Sequence, residues 1–272
     1  MLETFMQLSP VMQALIAGMF TWSMTLLGAC TVLLKKEVPE AWLDAMAGFA
    51  AGVMIAASFW SLLAPSIEIA EARKGLPAWT VAAGGFLLGA LFVAVADQLL
   101  PHLHPRMQQS EGPRSSLQRS MLLFLAMTIH NIPEGMAVGV AFGAVSAGTD
   151  FALGATLSAA MALSLGIGVQ NFPEGAAVAL PLRRSGMSRW KCFHIGHVSA
   201  LVEPVAAVLG ALLVMQVGFV LPWALSFAAG AMLFVVFEEL LPQAQANGRI
   251  DLTTLAALAG FTVMMVLDVA LG

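Results

Sequence analysis

Long apolar runs follow one another along almost the whole chain. A hydrocarbon core about 30 Å thick needs about 20 helical residues, and eight of the runs are long enough to cross it. They lie near residues 11–34, 42–65, 79–100, 121–145, 151–180, 193–216, 221–242 and 252–271. The runs are continuous and rich in Ala, Gly, Leu and Met, whereas the strands of a membrane β-barrel alternate. The pattern predicts an all-α integral membrane protein with eight transmembrane helices.

Composition excludes an ordinary soluble domain. The 272 residues are 59% hydrophobic and 10% charged, whereas soluble domains are about 25% charged. We expect one transmembrane domain over residues 1–272, with a cytoplasmic loop at about 101–119 and the lipid bilayer as its surroundings. No stretch resembles a nucleic-acid-binding surface, so no nucleic-acid partner is expected. Met1 to Pro10 carries no Lys or Arg, unlike a signal peptide, and Cys30 and Cys192 lack the paired spacing of a disulfide framework.

Basic residues predict the orientation. Ten of the twelve fall in the loops after helices one, three, five and seven. Those ten are Lys35, Lys36, Arg106, Arg114, Arg119, Arg183, Arg184, Arg189, Lys191 and Arg249. Cytoplasmic loops carry an excess of Lys and Arg, so we expect these loops in the cytoplasm and both termini outside. The longest of them contains His102 and His104, which are too few for a strong metal-binding loop.

Two neighbouring helices carry nearly the same polar motif, HNIPEG at 130–135 and QNFPEG at 170–175. A carboxylate at the bilayer centre costs about 2.5–3.5 kcal/mol, so Glu134 and Glu174 need compensation. On a helix that turns about 100° per residue, Glu134 lies on the same side as His130 and Asn131, at i+4 and i+3. Gln170, Asn171 and Glu174 repeat this geometry. The short connection around residues 148–150 makes the helices antiparallel, so the motifs are expected to face each other.

Prolines and a third carboxylate extend the predicted site. Pro133 and Pro173 have no amide hydrogen to donate to the preceding turn, so we expect kinks and free carbonyl oxygens there. One such motif also suits a kinked helix with a hydrogen-bonded polar cluster, but two copies in adjacent helices favour an ion site. Glu203, in the sixth helix, is likewise followed by proline. No Lys or Arg lies in the central segments to neutralise these carboxylates, which predicts a bound divalent cation.

The imidazole of His130 favours borderline metals such as zinc, cadmium or ferrous iron. Five more positions are candidates for the transport pathway, and Met54 is a candidate thioether ligand. The five are Asp44 at the external mouth, Asp97, Glu239, and His194 with His197 at the cytoplasmic start of helix six. Of Glu238 and Glu239, either is able to face the pathway. Each position also has a structural interpretation, as an interface anchor or a packing residue.

The chain resembles the ZIP (Zrt/Irt-like protein) divalent metal transporters in HNIPEG, QNFPEG, the EP pair of helix six and the count of eight helices. The form QNFPEG is similar to the bacterial GufA-type branch of that family. The resemblance implies inverted repeats, with helices one to three and six to eight around four and five. It also implies a binuclear midplane site in which Glu134 and Glu174 bridge. The first position would use His130, Glu134, Gln170 and Glu174, with Met54 as an extra ligand. The second would use Asn131, Glu134, Asn171, Glu174 and Glu203.

Two departures from the family pattern concern the ligands. Many members have His where this chain has Gln170, and some have Asp where it has Asn171. Both replacements weaken the ligand set, so metal preference does not carry over from relatives.

The sequence predicts a carrier of zinc, and also of cadmium, iron or manganese, into the cytoplasm across a bacterial inner membrane by alternating access. The metal is cargo, and no prosthetic group is expected. A gated channel, a homodimeric assembly and a receptor or structural role stay open. A membrane-embedded metal hydrolase is the other alternative, although the chain has no HExxH motif.

Overall fold

The computed structural model describes residues 2–34, 38–73, 75–99, 102–103, 110–111, 119–146, 156–184 and 186–271. Its α-helices are α1 (Leu2–Met6), α2 (Pro10–Leu34), α3 (Glu40–Ala57), α4 (Ala64–Ala72), α5 (Ala78–Leu99), α6 (Arg119–Ser146), α7 (Leu157–Arg184), α8 (Arg189–Val198), α9 (Val202–Gln216), α10 (Leu221–Val235), α11 (Leu241–Gln245) and α12 (Ile250–Leu271). Two short strands, β1 (His102–Leu103) and β2 (Ser110–Glu111), pair antiparallel. Of the loop predicted at about 101–119, residues 101, 104–109 and 112–118 lie outside the described residues, as does the connection at 148–150.

Helices occupy all eight predicted segments, which confirms an all-α membrane protein. Six stretches have the length and composition of a membrane span. They are Pro10–Leu34, Glu40–Ala72, Ala78–Leu99, Arg189–Gln216, Leu221–Gln245 and Ile250–Ala270. The other two segments are α6 and α7, each of 28 residues, which carry the polar motifs.

Three local features differ from the predicted pattern. The second and seventh segments each contain a π-helical turn, at Ser58–Leu63 and Val236–Leu240. Pro65 and Pro242 follow these turns, and the absence of a proline amide accounts for the local change in hydrogen bonding. The fifth helix begins at Leu157 instead of residue 151, because the Thr156 hydroxyl accepts the amide hydrogen of Ala159 at 3.0 Å and caps it. The sixth segment is divided by a 3₁₀ turn at Ser199–Leu201, and another precedes α10 at Gly218–Val220.

Tight helix pairs hold the bundle together. α2 packs along α7 and α9, α6 along α9 and α10, and α3 along α7 and α12. Glycines make the α3–α12 pair close: a Cβ on Gly52 would lie 1.9 Å from the carbonyl oxygen of Ala257, and one on Gly260 would lie 2.1 Å from that of Phe49. Small residues therefore allow the two backbones to approach each other.

The α5–α10 pair repeats this construction. A Cβ on Gly230 would lie 1.9 Å from the carbonyl oxygen of Phe86, and one on Gly89 would lie 1.9 Å from that of Phe227. The sequence repeats as well, with FAAGVM in α3 and FAAGAM in α10. When predicted helices one, two and three are matched in order with helices six, seven and eight, α3 corresponds to α10 and α5 corresponds to α12. The α3–α12 pair then corresponds to the α10–α5 pair. The packing thus has the internal repeat that the ZIP resemblance implies.

Candidate metal centre

Both polar motifs are buried in the middle of their helices. α6 continues as a helix through Pro133, and α7 is unbroken through Pro173. A third helix, α9, packs closely against α6 at a glycine of the first motif. A Cβ on Gly135 would lie 2.5 Å from the carbonyl oxygen of Glu203, so only glycine lets α6 approach the start of α9 this closely. The three carboxylates predicted to form the site consequently occupy one buried region, with exposed fractions of 1% for Glu134, 7% for Glu174 and 0% for Glu203.

The two motifs face each other through equivalent side chains. Gln170 donates from Nε2 to Oε1 of Glu134 at 2.8 Å. In the other direction, His130 and Glu174 line the same cavity. The first residue of each motif therefore faces the carboxylate of the other, as expected for helices whose motifs face each other.

Glu239 joins the His130 side of the site. Its carboxylate forms an ion pair with Nδ1 of His130, and both side chains are buried. Glu239 and Gln243 line the cavity together with His130 and Glu174. The sequence left Glu238 and Glu239 as alternatives, and the π-helical turn that contains both places Glu239 inward. Gln243 was not predicted as a residue of the site. It follows Glu239 by one helical turn, next to a proline, and this spacing could have indicated it.

Glu203 forms the opposite side. Asn171 donates from Nδ2 to Oε2 of Glu203 at 2.9 Å and lies 3.3 Å from the carbonyl oxygen of Thr21. Thr21 is fully buried, as is Glu203. Sequence reasoning missed Thr21, although Thr21 and Thr25 are spaced four residues apart and so mark a polar face on the otherwise apolar α2.

Several side-chain oxygens at the site have no hydrogen-bond donor among the described residues. These buried atoms are Asn131 Oδ1, Glu134 Oε2, Gln170 Oε1, Asn171 Oδ1 and Glu203 Oε1. A buried acceptor left unsatisfied costs about 1–3 kcal/mol, so five such oxygens on three adjacent helices favour a cation. In the described part of the chain, no three His, Cys, Asp or Glu side chains converge on a single point, and amide groups bond two of the carboxylates instead.

Met54 and Asp97 flank this region. Met54 is fully buried in the apolar core, one turn after Ala50, which lines the cavity with His130. Asp97 is 2% exposed near the end of α5. His194 and His197 lie elsewhere, at the start of the sixth segment, with His194 Nδ1 3.3 Å from His197 Nε2.

Asp44 forms an ion pair with a residue of the basic loops. Its buried carboxylate accepts hydrogen bonds from Asn247 Nδ2 at 2.9 Å and pairs with Arg249 Nη1 at 2.7 Å. Arg249 belongs to the basic loops, so Asp44 lies at their end of the molecule, and the predictions of cytoplasmic basic loops and of Asp44 at the external mouth exclude each other. Its partners lie more than 200 residues away in sequence, which kept this clamp between α3 and the start of α12 from being predicted.

Removal of the clamp is expected to lower stability. Arg249→Ala removes the ion pair of the buried Asp44 carboxylate, so we expect a loss of about 1–2 kcal/mol and a fall of several degrees in the melting temperature of the detergent-solubilised protein. Lys191→Ala removes an exposed cation and serves as the matched control. Equal melting temperatures for the two variants would contradict the structural role of the clamp.

Comparison with known proteins identifies the architecture. The profile of the family described as ZIP Zinc transporter matches residues 8–118 and 106–268, almost the whole chain. The chain belongs to the ZIP family. The resemblance drawn from the two motifs is therefore confirmed, and the buried centre described above is the polar core of a ZIP protein.

Relatives cover the ZIP chain nearly end to end. It is 42% identical to "Zinc transporter ZIP11" of Bos taurus, with 97% of this chain and 98% of the relative aligned. It is 37% identical to "Zinc transporter GufA" of Myxococcus xanthus, over 95% and 98% of the two chains. Identity to "Zinc transporter ZIPB" of Bordetella bronchiseptica is also 37%, over 95% and 81%. These proteins are named transporters and not enzymes, so the hydrolase alternative is not supported.

Proposed function

We propose that this ZIP protein carries zinc, and ions of similar chemistry such as cadmium, iron or manganese, across a bacterial inner membrane into the cytoplasm. The observation that carries the proposal is the set of buried oxygens without donors on α6, α7 and α9. A divalent cation supplies what these oxygens lack, and a carrier needs such a site within the membrane. Relatives named as zinc transporters support the choice of metal.

The bound ions would occupy two positions that share Glu134 and Glu174. His130, Gln170 and, as an extra ligand, Met54 would complete the first. Asn131, Asn171 and Glu203 would complete the second. An amide nitrogen is a hydrogen-bond donor and not a metal ligand, so loading would break the bonds from Gln170 to Glu134 and from Asn171 to Glu203 and turn amide oxygens toward the ions.

Two cavities suggest the route. One is lined by Ser61, Glu68, Thr156 and Asp268, and the Ser61 hydroxyl donates to Asp268 at 2.6 Å. The other is the cavity of His130, Glu174 and Glu239. With eight transmembrane helices and the basic loops in the cytoplasm, the first cavity opens outward and the second lies toward the cytoplasm. Alternating access would connect each cavity to the shared site in turn.

Transport is tested with the purified chain in liposomes loaded with a zinc-sensitive dye. We expect protein-dependent zinc uptake that saturates with concentration, because a carrier must bind its cargo in each cycle. Liposomes without protein give the background. No uptake above this background would sink the proposal, and uptake that rises without saturation into the range of ion-channel currents would favour a gated channel over a carrier.

Gln170 is expected to set metal preference. Gln170→His adds a second imidazole beside Glu134, and imidazole favours zinc over the harder manganese ion. We expect the ratio of zinc to manganese uptake, measured in competition, to rise about tenfold, an order-of-magnitude value for one exchanged ligand. Gln216→His places an imidazole on an exposed position of α9 and is the control. A ratio that does not respond to Gln170→His would remove Gln170 from the first metal position.

A further inference from the structure

We propose that His194 and His197 form a second, transient metal site, at which zinc is held by two imidazoles after it leaves the buried centre and before it enters the cytoplasm. The inference rests on the proposed transport function. It assigns a binding step to a pair of side chains that the buried centre does not use.

Geometry carries the proposal. His194 Nδ1 and His197 Nε2 lie 3.3 Å apart. Two nitrogens bound to one tetrahedral zinc ion, each at 2.0–2.1 Å, are separated by about 3.3–3.4 Å. The two ring nitrogens thus already have the spacing of one edge of a zinc tetrahedron. One ring donating a hydrogen bond to the other would give the same spacing, and the experiment below separates these two explanations.

Aromatic neighbours hold the pair in place. The ring centroid of Phe193 lies 4.6 Å from that of His197 and 5.2 Å from that of His194. The indole of Trp22 packs edge-on against His197 at 6.0 Å and donates its N–H to the His197 carbonyl oxygen at 3.1 Å. The imidazoles are therefore oriented before any metal arrives, which lowers the entropy cost of binding.

The pair lies between the buried centre and the surface. His194 is exposed and His197 is partly buried. His197 precedes Glu203 by six residues, or about 9 Å of helix. Trp22, which contacts His197, directly follows Thr21, whose carbonyl oxygen lies beside Asn171. The basic residues of this end place it on the cytoplasmic side under the proposed orientation.

Weak binding suits this position. Within the described residues, no third His, Cys, Asp or Glu joins the two imidazoles, so water must complete the coordination. Arg189 and Lys191 lie in the first turn of α8 and oppose a resident cation. A site with two protein ligands and nearby positive charge releases its ion readily.

The test is protection of His194 from diethyl pyrocarbonate, followed by mass spectrometry of the full-length purified protein. Zinc titrated to saturating excess should lower labelling of His194 several-fold in the native chain and have no effect on it in His197→Asn. Trp190→Phe, on the same helix, is the control and should retain protection. Labelling that zinc leaves unchanged in the native chain, or protection that persists in His197→Asn, would overturn the two-histidine site.

Uptake assays in proteoliposomes separate this proposal from the transport function. The double variant His194→Asn with His197→Asn should show a maximal zinc uptake rate reduced about threefold or more, because release limits many transport and catalytic cycles. Trp190→Phe should match the native rate. Native uptake with an unchanged rate in the double variant overturns the release site alone, whereas absence of uptake by the native chain overturns the proposed function.

Discussion

Glu174→Ala is expected to abolish zinc uptake. Glu174 is proposed to bridge both metal positions, lines the cavity with His130 and Glu239, and is 7% exposed. Loss of a residue that merely orients a metal ligand costs about 10–100-fold in affinity or activity, so removal of a bridging ligand should reduce uptake at least ~100-fold. The measurement is initial zinc uptake into proteoliposomes with equal amounts of folded protein.

A control substitution at another carboxylate distinguishes loss of the metal site from a general loss of negative charge. Glu71→Ala removes an exposed carboxylate near the end of α4 and should transport at the native rate. Glu174→Gln keeps the size of the side chain and should be as inactive as Glu174→Ala, because it removes the charge that binds the cation. Native uptake by Glu174→Gln would show that the carboxylate does not bind the transported ion.

Gly230→Val is expected to prevent assembly of the bundle. A Cβ at this position would lie 1.9 Å from the carbonyl oxygen of Phe86, so α5 and α10 would have to separate. Backbone displacement on this scale exceeds the usual overpacking cost of about 1–3 kcal/mol. We expect the variant to be lost from the monodisperse peak in size-exclusion chromatography.

Gly75→Val is the control for that experiment. Among the described residues, no atom lies within 4 Å of a Cβ placed on Gly75, which lies in the connection between α4 and α5. It should purify like the native protein. A monodisperse Gly230→Val with a native melting temperature would mean that the close approach of α5 and α10 is not needed for folding.

Apolar patterning was sufficient to predict the helices, because in a membrane every backbone polar group must be satisfied within its own segment. The motif residues were likewise found from sequence, since Glu134, Glu174 and Glu203 are costly in apolar surroundings. Helical angles also predicted that Glu134 would face the neighbouring motif. Gln170 makes that contact, at 2.8 Å.

The features of the site that were not predicted from the sequence depend on three-dimensional structure. Helical angles alone did not separate Glu239 from Glu238, because the π-helical turn shifts side-chain directions away from the regular helical pattern. Thr21 contributes a carbonyl oxygen, and its position beside Asn171 depends on the packing of α2 against α7. The contacts of Asp44 with Asn247 and Arg249 were not predicted, because these partners lie more than 200 residues away in sequence.

Crystallography of the cadmium-loaded protein with anomalous scattering shows whether divalent ions bind between the two motifs. We expect anomalous peaks within coordination distance of both Glu134 and Glu174, with His130 at one position and Glu203 at the other. Peaks found only at other sites, with neither Glu134 nor Glu174 within coordination distance of cadmium, would contradict this expectation.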